Sequence, residues 1–295
     1  MASQPVANSA GGIIQGDGYI EPDTDNLPID EGYEDDDKST FTASITSSVL
    51  AYRQENGRTY HAYKEGSYLL PNDDQENDRL DMQHAVFLRS IKGKLGLAPI
   101  SKNVQNVLDV GTGTGIWALD FADEFPSAEV IGTDLSPIQP SLNLKPGGYI
   151  EIQDTQFPFD CDDGTVKPEC AMSRWADLIV RACKALGRPI DIAKDHKRRM
   201  EDAGFVDVVE VIHKWPQNHW PKDREMKEIG RWTMMNTLEA LQALSMAPLT
   251  RGLGWSPEEV EALLVEVRKD VKDKSLHAYW PITFVYGRKP EKAKD

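Results

Sequence analysis

Apolar and polar positions alternate between short runs and helical stripes from residue 104 onward. VQNVLDV (104–110) is too short for a helix and runs into glycines, so it predicts a buried strand. GTGTG (111–115) turns the chain, IWALDFADEF predicts a helix, and AEVIGTD (128–134) a second strand. GGYIEIQD (147–154) predicts a third strand. Strand, glycine turn, helix, strand is half of a doubly wound α/β sheet. Further on, PECAMSRWADLIVRACKALG predicts a helix stopped at Gly187, and DIAKDHKRRMEDAGF another helix. VDVVEVIHKWP (206–216) predicts a strand, two helices follow at about 223–246 and 257–271, and HAYWPITFVYGRKP closes with a strand. Upstream, FTASITSSVLAYRQENGRTYHAY predicts an amphipathic helix and then a turn at Asn56-Gly57. Asn72 and Asp73 can cap a helix to about Lys92, with Leu80, Ala85, Phe87, Leu88 and Ile91 in its apolar stripe. Gly93, Gly96 and Pro99 end it.

The domain organisation follows. Residues 41–290 form one domain, with a helical preface over 41–100 and an α/β core over 101–290. Residues 1–40 precede it as a tail and 291–295 follow it. The first 40 residues hold ten carboxylates against Lys38, so −9 of the net charge of −15 sits there and −6 on the other 255 residues. Such a segment, also rich in Gly, Pro and Asn, buries too little to fold and is expected to be disordered. An acidic chain is a poor partner for a phosphate backbone, which argues against direct nucleic-acid binding. No run of 18 apolar residues is present, so no membrane span is expected. Cys161, Cys170 and Cys183 show no CxxC spacing and read as reduced thiols, with no metal site beside them. The basic cluster Lys194 to Arg199 reads as a solvated helix face ahead of an import signal, which leaves cytoplasm and nucleus both open.

The chemistry centres on the glycine loop. Gly111, Gly113 and Gly115 follow a strand and open a helix, where backbone amides can approach a ligand without a Cβ in the way. Asp134 ends the next strand, 19 residues beyond Gly115, where a carboxylate can accept from two ribose hydroxyls. The competing reading is a tight turn and a surface carboxylate, since a glycine motif alone is weak evidence. Asp109, just before the glycines, would repel a pyrophosphate but suits an ammonium group. That favours S-adenosylmethionine over a dinucleotide.

VLDVGTGTGIWALDFADEFPSAEVIGTDLSPIQPS resembles motif I and the following strand of class I methyltransferases, and more specifically those of the fungal LaeA-like family. The resemblance continues in ENGRTYHAYKEGSYLLPNDDQENDRLDMQH, LKPGGYIEIQD, WPKDREMKEIGRW, RGLGWSPEEVEALL and HAYWPITFVYGRKP, over nearly all of residues 41–290. It implies a Rossmann-like seven-stranded sheet with an N-terminal helical extension, S-adenosylmethionine as methyl donor, and a role in making or regulating fungal secondary metabolites. It also implies Asp109, Gly111, Gly113, Gly115 and Asp134 as the cofactor-binding residues.

The resemblance breaks after Ser141. The family continues there with a third strand, a helix, a fourth strand and a helix ending in LKPGG, whereas here Ser141 runs directly into Leu142-Asn143-Leu144-Lys145-Pro146-Gly147-Gly148. Two strands and most of two helices are missing, roughly 40–50 residues, given that a βαβ unit takes about 30 or more. Residues 136–146 reach roughly 35 Å when extended at about 3.3 Å per residue, enough to cross the sheet but not to cover it. The first strand must then pair with the fifth or keep an unsatisfied edge, and the adenine side of the pocket loses its wall.

The remaining candidates each carry two readings. Tyr60, Tyr63 and Tyr68 could fold over the cofactor mouth or simply pack. The aromatic segment HKWPQNHWP, with His213, Trp215, His219 and Trp220, could line a substrate pocket or pin the last strand. Trp220, Trp232 and Tyr63 are the substrate-side candidates, and His277 is a candidate for a general base, against the structural role more usual for a lone His at a strand start. Methyl transfer can also proceed by positioning alone. The function expected is methyl transfer to a small-molecule acceptor or to a protein partner in a regulatory complex. The alternatives are a regulatory scaffold that no longer binds the cofactor, and a chain translated from a transcript spliced short.

Overall fold

The computed structural model of the chain describes residues 13–24, 53–60, 69–134 and 144–291. In chain order the elements are β1 (Ile13–Gln15), β2 (Arg53–Glu55), β3 (Arg58–Tyr60), α1 (Asp74–Ser90), β4 (Asn106–Val110), α2 (Ile116–Glu124) and β5 (Glu129–Thr133). There follow β6 (Tyr149–Thr155), α3 (Ala171–Ala185), a 3-10 turn and α4 (His196–Asp202), β7 (Val206–Pro216), α5 (Arg224–Ala247), α6 (Pro257–Lys272) and β8 (Tyr279–Arg288).

Among the described residues the strands form a four-stranded sheet in the order β1-β7-β8-β6 and two separate pairs, β4-β5 and β2-β3. β8 runs antiparallel between β7 and β6. Its Ile282, Phe284 and Val285 are fully buried. α3 buries Met172, Trp175, Ala176 and Ile179, the spacing of one helical face, and belongs to the same core. α6 is started by a capping box in which Ser256 and Glu259 bond each other's backbone amides, with Pro257 in the first turn. The three core indoles are all satisfied: Trp175 Nε1 donates to Ser245, Trp215 Nε1 to Ser90 and Trp280 Nε1 to Gln217. α1 is tied to α5 through a buried ion pair, Arg79 with Glu76 at 2.7 Å, whose guanidinium also donates to Asn236.

Three expectations change. The acidic tail was expected to be disordered over 1–40, yet residues 13–24 lie along the sheet. β1 pairs parallel with β7, and Asp17, Glu21 and Asp23 bond Lys214 N–H, Lys222 and Lys227. Carboxylates that lower the mean hydropathy of the segment thus find cations on the folded domain. The rest of that tail, residues 41–52 of the expected first helix, and Tyr63 and Tyr68 lie outside the described residues. Residues 53–60 form a hairpin where the expected helical preface would run. Its turn has Asn56 and Gly57 at φ 51° and 78°, the conformation that matches strand twist in a two-residue loop. The sheet is also divided. β4 pairs in parallel with β5 alone among the described residues, so the seven-stranded sheet less two strands is present as two pieces.

The aromatic segment 213–220 pins the last strands. Gln217 accepts from Trp280, Asn218 donates to the carbonyls of Val271 and Asp273, and Trp220 donates to Ala278. α5 lies hard against it: a Cβ on Gly230 would stand 2.1 Å from the Asn218 carbonyl oxygen. Gly230→Ala is therefore expected to cost about 1–3 kcal/mol by overpacking, read as a lowered urea midpoint at unchanged slope. In the same segment both ring nitrogens of His219 are buried without a partner. Burial, with Lys274, Arg231 and Lys227 nearby, holds that imidazole below its ordinary value. The unfolded chain takes up this proton near pH 6.5 while the folded chain resists it, so folding weakens as pH drops below that value. The melting temperature of His219→Gln should fall less steeply than that of the natural chain over this range. Equal slopes would assign the pH dependence to another group.

Candidate functional site

The glycine loop folds as its residue types require. Gly111, Gly113 and Gly115 all have positive φ (81°, 53° and 84°), where a side chain would be strained. Gly115 caps α2, so the helix N-terminus faces the loop. The N–H groups of Gly111 and Thr112 both donate to the carbonyl of Thr133, at 2.7 and 3.0 Å, which locks the loop to the end of β5. Opposite Asp109 in the ladder is Gly132, where a Cβ would lie 2.7 Å from Thr112 Oγ1 and force that side chain to shift. That hydroxyl instead donates to Asp109 Oδ2 at 2.7 Å.

The two carboxylates expected to hold the cofactor come to the same loop. Asp134 Oδ2 accepts from the Gly113 amide at 2.9 Å. Asp109 is half-buried, and burial pushes its carboxyl above the usual range; the Thr112 hydroxyl opposes this, while the Asp134 charge adds to it and His84 draws it back. A cavity of about 200 Å³ opens over the glycines, walled on the other side by α1. Leu80, Gln83, His84, Phe87 and Ile91 line it, with Trp117 from α2. Thr114 donates to Asp81, and His84 Nε2 lies 2.8 Å from Asp120 Oδ2, so α1 is hydrogen-bonded to both the loop and α2.

These residues of α1 and its C-terminal end line the cavity, and Gly132 abuts the loop, yet motif reasoning passes over all of them. Their signal was the helical spacing 80, 83, 84, 87, 91, one stripe of a helix whose apolar members alone attract attention.

The substrate-side candidates lie elsewhere. Trp220 is buried and stacks on His277, ring centroids 4.9 Å apart. His277 Nδ1 sits 2.5 Å from Asp163 Oδ2 and its backbone amide donates to Thr165. Trp232 is half-buried against the core and donates to Glu228 at 3.2 Å. None of the three lines the cavity over the glycines. Tyr60 is buried and packs on Arg251, 5.1 Å from its ring centroid.

The residues fit one half of S-adenosylmethionine. The loop leaves open space over Gly111 and Gly115, and a carboxylate stands on each side of it. The cavity is smaller than the roughly 300–1,000 Å³ of a full small-molecule site, and the adenine end has no wall among the described residues.

A methyltransferase domain model matches residues 82–144, from α1 through the glycine loop and β5. Methyltransferase pytC of Aspergillus terreus is 33% identical, over 86% of this chain and 93% of its own length. The secondary metabolism regulator LAE1 of Cochliobolus heterostrophus is 33% identical over 80% of this chain and 94% of its own length. The protein-methionine methyltransferase laeA of Emericella nidulans is 30% identical over 84% and 79%. The pytC alignment is 301 positions long but takes in 86% of the 295 residues, about 254, which leaves about 47 positions with no residue here. Methyltransferase domains of this class use S-adenosylmethionine as methyl donor. With such similarity over most of each protein, the chain belongs to the LaeA-like family of fungal methyltransferases.

Proposed function

We propose that this chain binds S-adenosylmethionine at the glycine loop and transfers its methyl group in fungal secondary metabolism or in the regulation of that metabolism. The observation that carries the reading is the loop itself: three glycines at positive φ between Asp109 and Asp134, under a cavity closed by α1. Asp109 would face the ammonium group and Asp134 the ribose hydroxyls, with the cavity over the glycines leaving room for the methionine moiety. The group supplies an electrophilic methyl carbon. The chain supplies position and a water-poor wall of Leu80, Phe87 and Trp117.

Members of the family are named both as enzymes and as regulators, so the acceptor is a small molecule or a protein side chain in a regulatory complex. The Emericella relative's name points to a methionine thioether as one acceptor class. The working domain is residues 41–290, with residues 13–24 laid along its sheet. No helix among the described residues is long and apolar enough to cross a membrane, and we place the protein in the cytoplasm or the nucleus without direct contact to nucleic acid.

A second reading has its own support. The open side of β4 and the small cavity suit a scaffold that kept the family's surfaces and lost the cofactor. Calorimetric titration of the 295-residue chain with S-adenosylmethionine separates the two. Micromolar binding, abolished in Gly113→Arg, supports the enzyme; no binding by a folded chain selects the scaffold. The pH dependence tests the role of Asp109. Because its carboxyl titrates above the usual range, acid removes the negative charge opposite the ammonium early, so affinity should fall while pH is still above about 4. Asp109→Asn should bind at least about tenfold more weakly, with no slope in that range.

A further inference from the structure

Residues 13–24 lie on the main sheet as an extended ligand lies on its receptor. β1 adds a parallel strand to the outer edge of β7, with Ile13, Ile14 and Gln15 opposite Glu210, Val211 and Ile212. The Gly16 amide continues the ladder by donating to the Ile212 carbonyl at 2.8 Å. The fit is close there: a Cβ on Gly16 would stand 2.7 Å from that same oxygen and 2.8 Å from the His213 ring. Asp17 Oδ2 accepts from the Lys214 amide at 2.9 Å and lies 3.2 Å from His213 Nδ1. Farther along, the Lys222 amide donates to the Glu21 carbonyl and the Asp23 amide to the Trp220 carbonyl, both at 2.8 Å. The Glu21 and Asp23 carboxylates pair with Lys222 and Lys227. Backbone bonds supply attachment and side chains supply register, as in strand addition at a sheet edge.

Between these ties one apolar side chain goes inward. Ile20 is 7% exposed and lines a small cavity with Trp220, His277 and Tyr279, about 10 Å³ in volume. Tyr19 beside it is 67% exposed. The segment thus has a single anchor, and the space left around it holds about one water at most.

The floor of this groove does not rest on the segment that covers it. Trp220 Nε1 donates to the Ala278 carbonyl, the Tyr279 hydroxyl donates to Asp162, which also holds Lys214 Nζ, and His277 Nδ1 lies against Asp163. The ties of the segment itself are few. β1 is three residues long, and the Lys222–Glu21 pair lies in water, where an ion pair contributes little. Between Thr24 and Arg53 there are 28 residues, so by length alone the segment can leave the groove without drawing the β2-β3 hairpin with it. Its departure would open the edge of β7, a ready template for another strand.

We propose that the outer edge of β7, with the pocket at Trp220 and Tyr279 and the cations Lys222 and Lys227, is a docking groove for an extended acidic segment of a partner protein, and that residues 13–24 are the resident competitor that holds it closed. The resident segment gives the chemistry of the partner. It carries a glycine at the sheet edge, a carboxylate next to it, an aliphatic side chain four residues after the glycine, and carboxylates five and seven after it. The occupant is a protein strand because the groove offers a backbone ladder, and an acidic one because cations line its far end. This inference does not depend on cofactor binding, and its test does not use the cofactor.

The test titrates a fluorescein-labelled peptide of residues 13–24, read by anisotropy, against the full 295-residue chain and against its Gly16→Val/Ile20→Asp variant. The variant disables the resident segment and leaves every groove residue in place. The natural chain should bind the peptide at least about tenfold more weakly than the variant, because its own segment competes at a tethered concentration. Adding Lys222→Glu/Lys227→Glu to the variant should weaken the peptide by about tenfold more, since attraction becomes repulsion. A folded variant that does not bind the peptide overturns the proposal. So does equal binding of a scrambled peptide of the same composition, because charge alone is then read. A variant that sedimentation shows to be a dimer also overturns it, since the groove then takes a second copy. If the variant does not fold, hydrogen exchange on the natural chain decides. The amides of Gly16, Asp23 and Lys222 should exchange much faster than those of β8, and equal protection overturns the proposal, because the segment then leaves only when the whole domain unfolds.

Discussion

The ladder of β8 with β7 and β6 is the interaction on which the rest of the molecule depends. From Tyr279 to Val285 every residue of β8 is buried, and both edges of the strand are paired. α1 and α3 both set aromatic side chains against this plane. Phe87 of α1 packs edge-on against both Trp215 and Phe284, at 4.8 and 5.9 Å. Trp175 of α3 meets Trp280 at 6.4 Å. Removing the ladder would leave these aromatic groups without a common wall, and α1 without the anchor that holds it over the glycine loop.

That dependence links the core to the site. α1 is amphipathic in an unusual sense, because one side serves the core and another the cavity. Phe87 and Ile91 belong to both, while Gln83 and His84 face the cavity. The loop contributes space, and α1 contributes the wall. Glu151 shows the same economy at the base of the structure. Its two oxygens accept from the amides of Leu97 and Ala98, so the segment leading to β4 is fastened to β6 by one half-buried carboxylate whose proton affinity is raised by burial. The β4-β5 unit is thus attached to the main sheet through side chains, Glu151 and the Lys145–Asn106 contact among them, in the place where a backbone ladder would otherwise run.

A sheet joined in this way is weaker at the seam than within either piece, since side-chain bonds to a half-exposed segment exchange readily with water. The glycine loop lies on the smaller piece, and α1, which walls the cavity, packs in the main core. Cofactor affinity and the stability of the β4-β5 unit are therefore coupled, because a ligand that bridges the loop and α1 would hold both.

Much of the architecture was legible in the sequence. β7 falls on the expected 206–216, α1 begins at the expected cap Asp73, and the strand, glycine and helix order around 104–134 is as the apolar pattern predicts. These are local matters: period, capping and turn chemistry are written in neighbouring residues. The glycine loop and its two carboxylates were legible for the same reason. What the sequence could not decide depends on distant partners. Acidic residues 17, 21 and 23 suggest disorder until the cations of 214–227 are placed beside them. Trp220 and His277 resemble site residues until the structure stacks them together away from the loop. Gly132 carries no motif, and what a Cβ there would meet is Thr112 in the glycine loop beyond the end of β4. The sequence by itself determined most of the elements from residue 72 onward, the loop and the length of the connection after β5. Only the tertiary structure decided that β4 keeps an open edge, because strand pairing joins residues far apart in the chain and a missing partner shows only when the neighbours are in place.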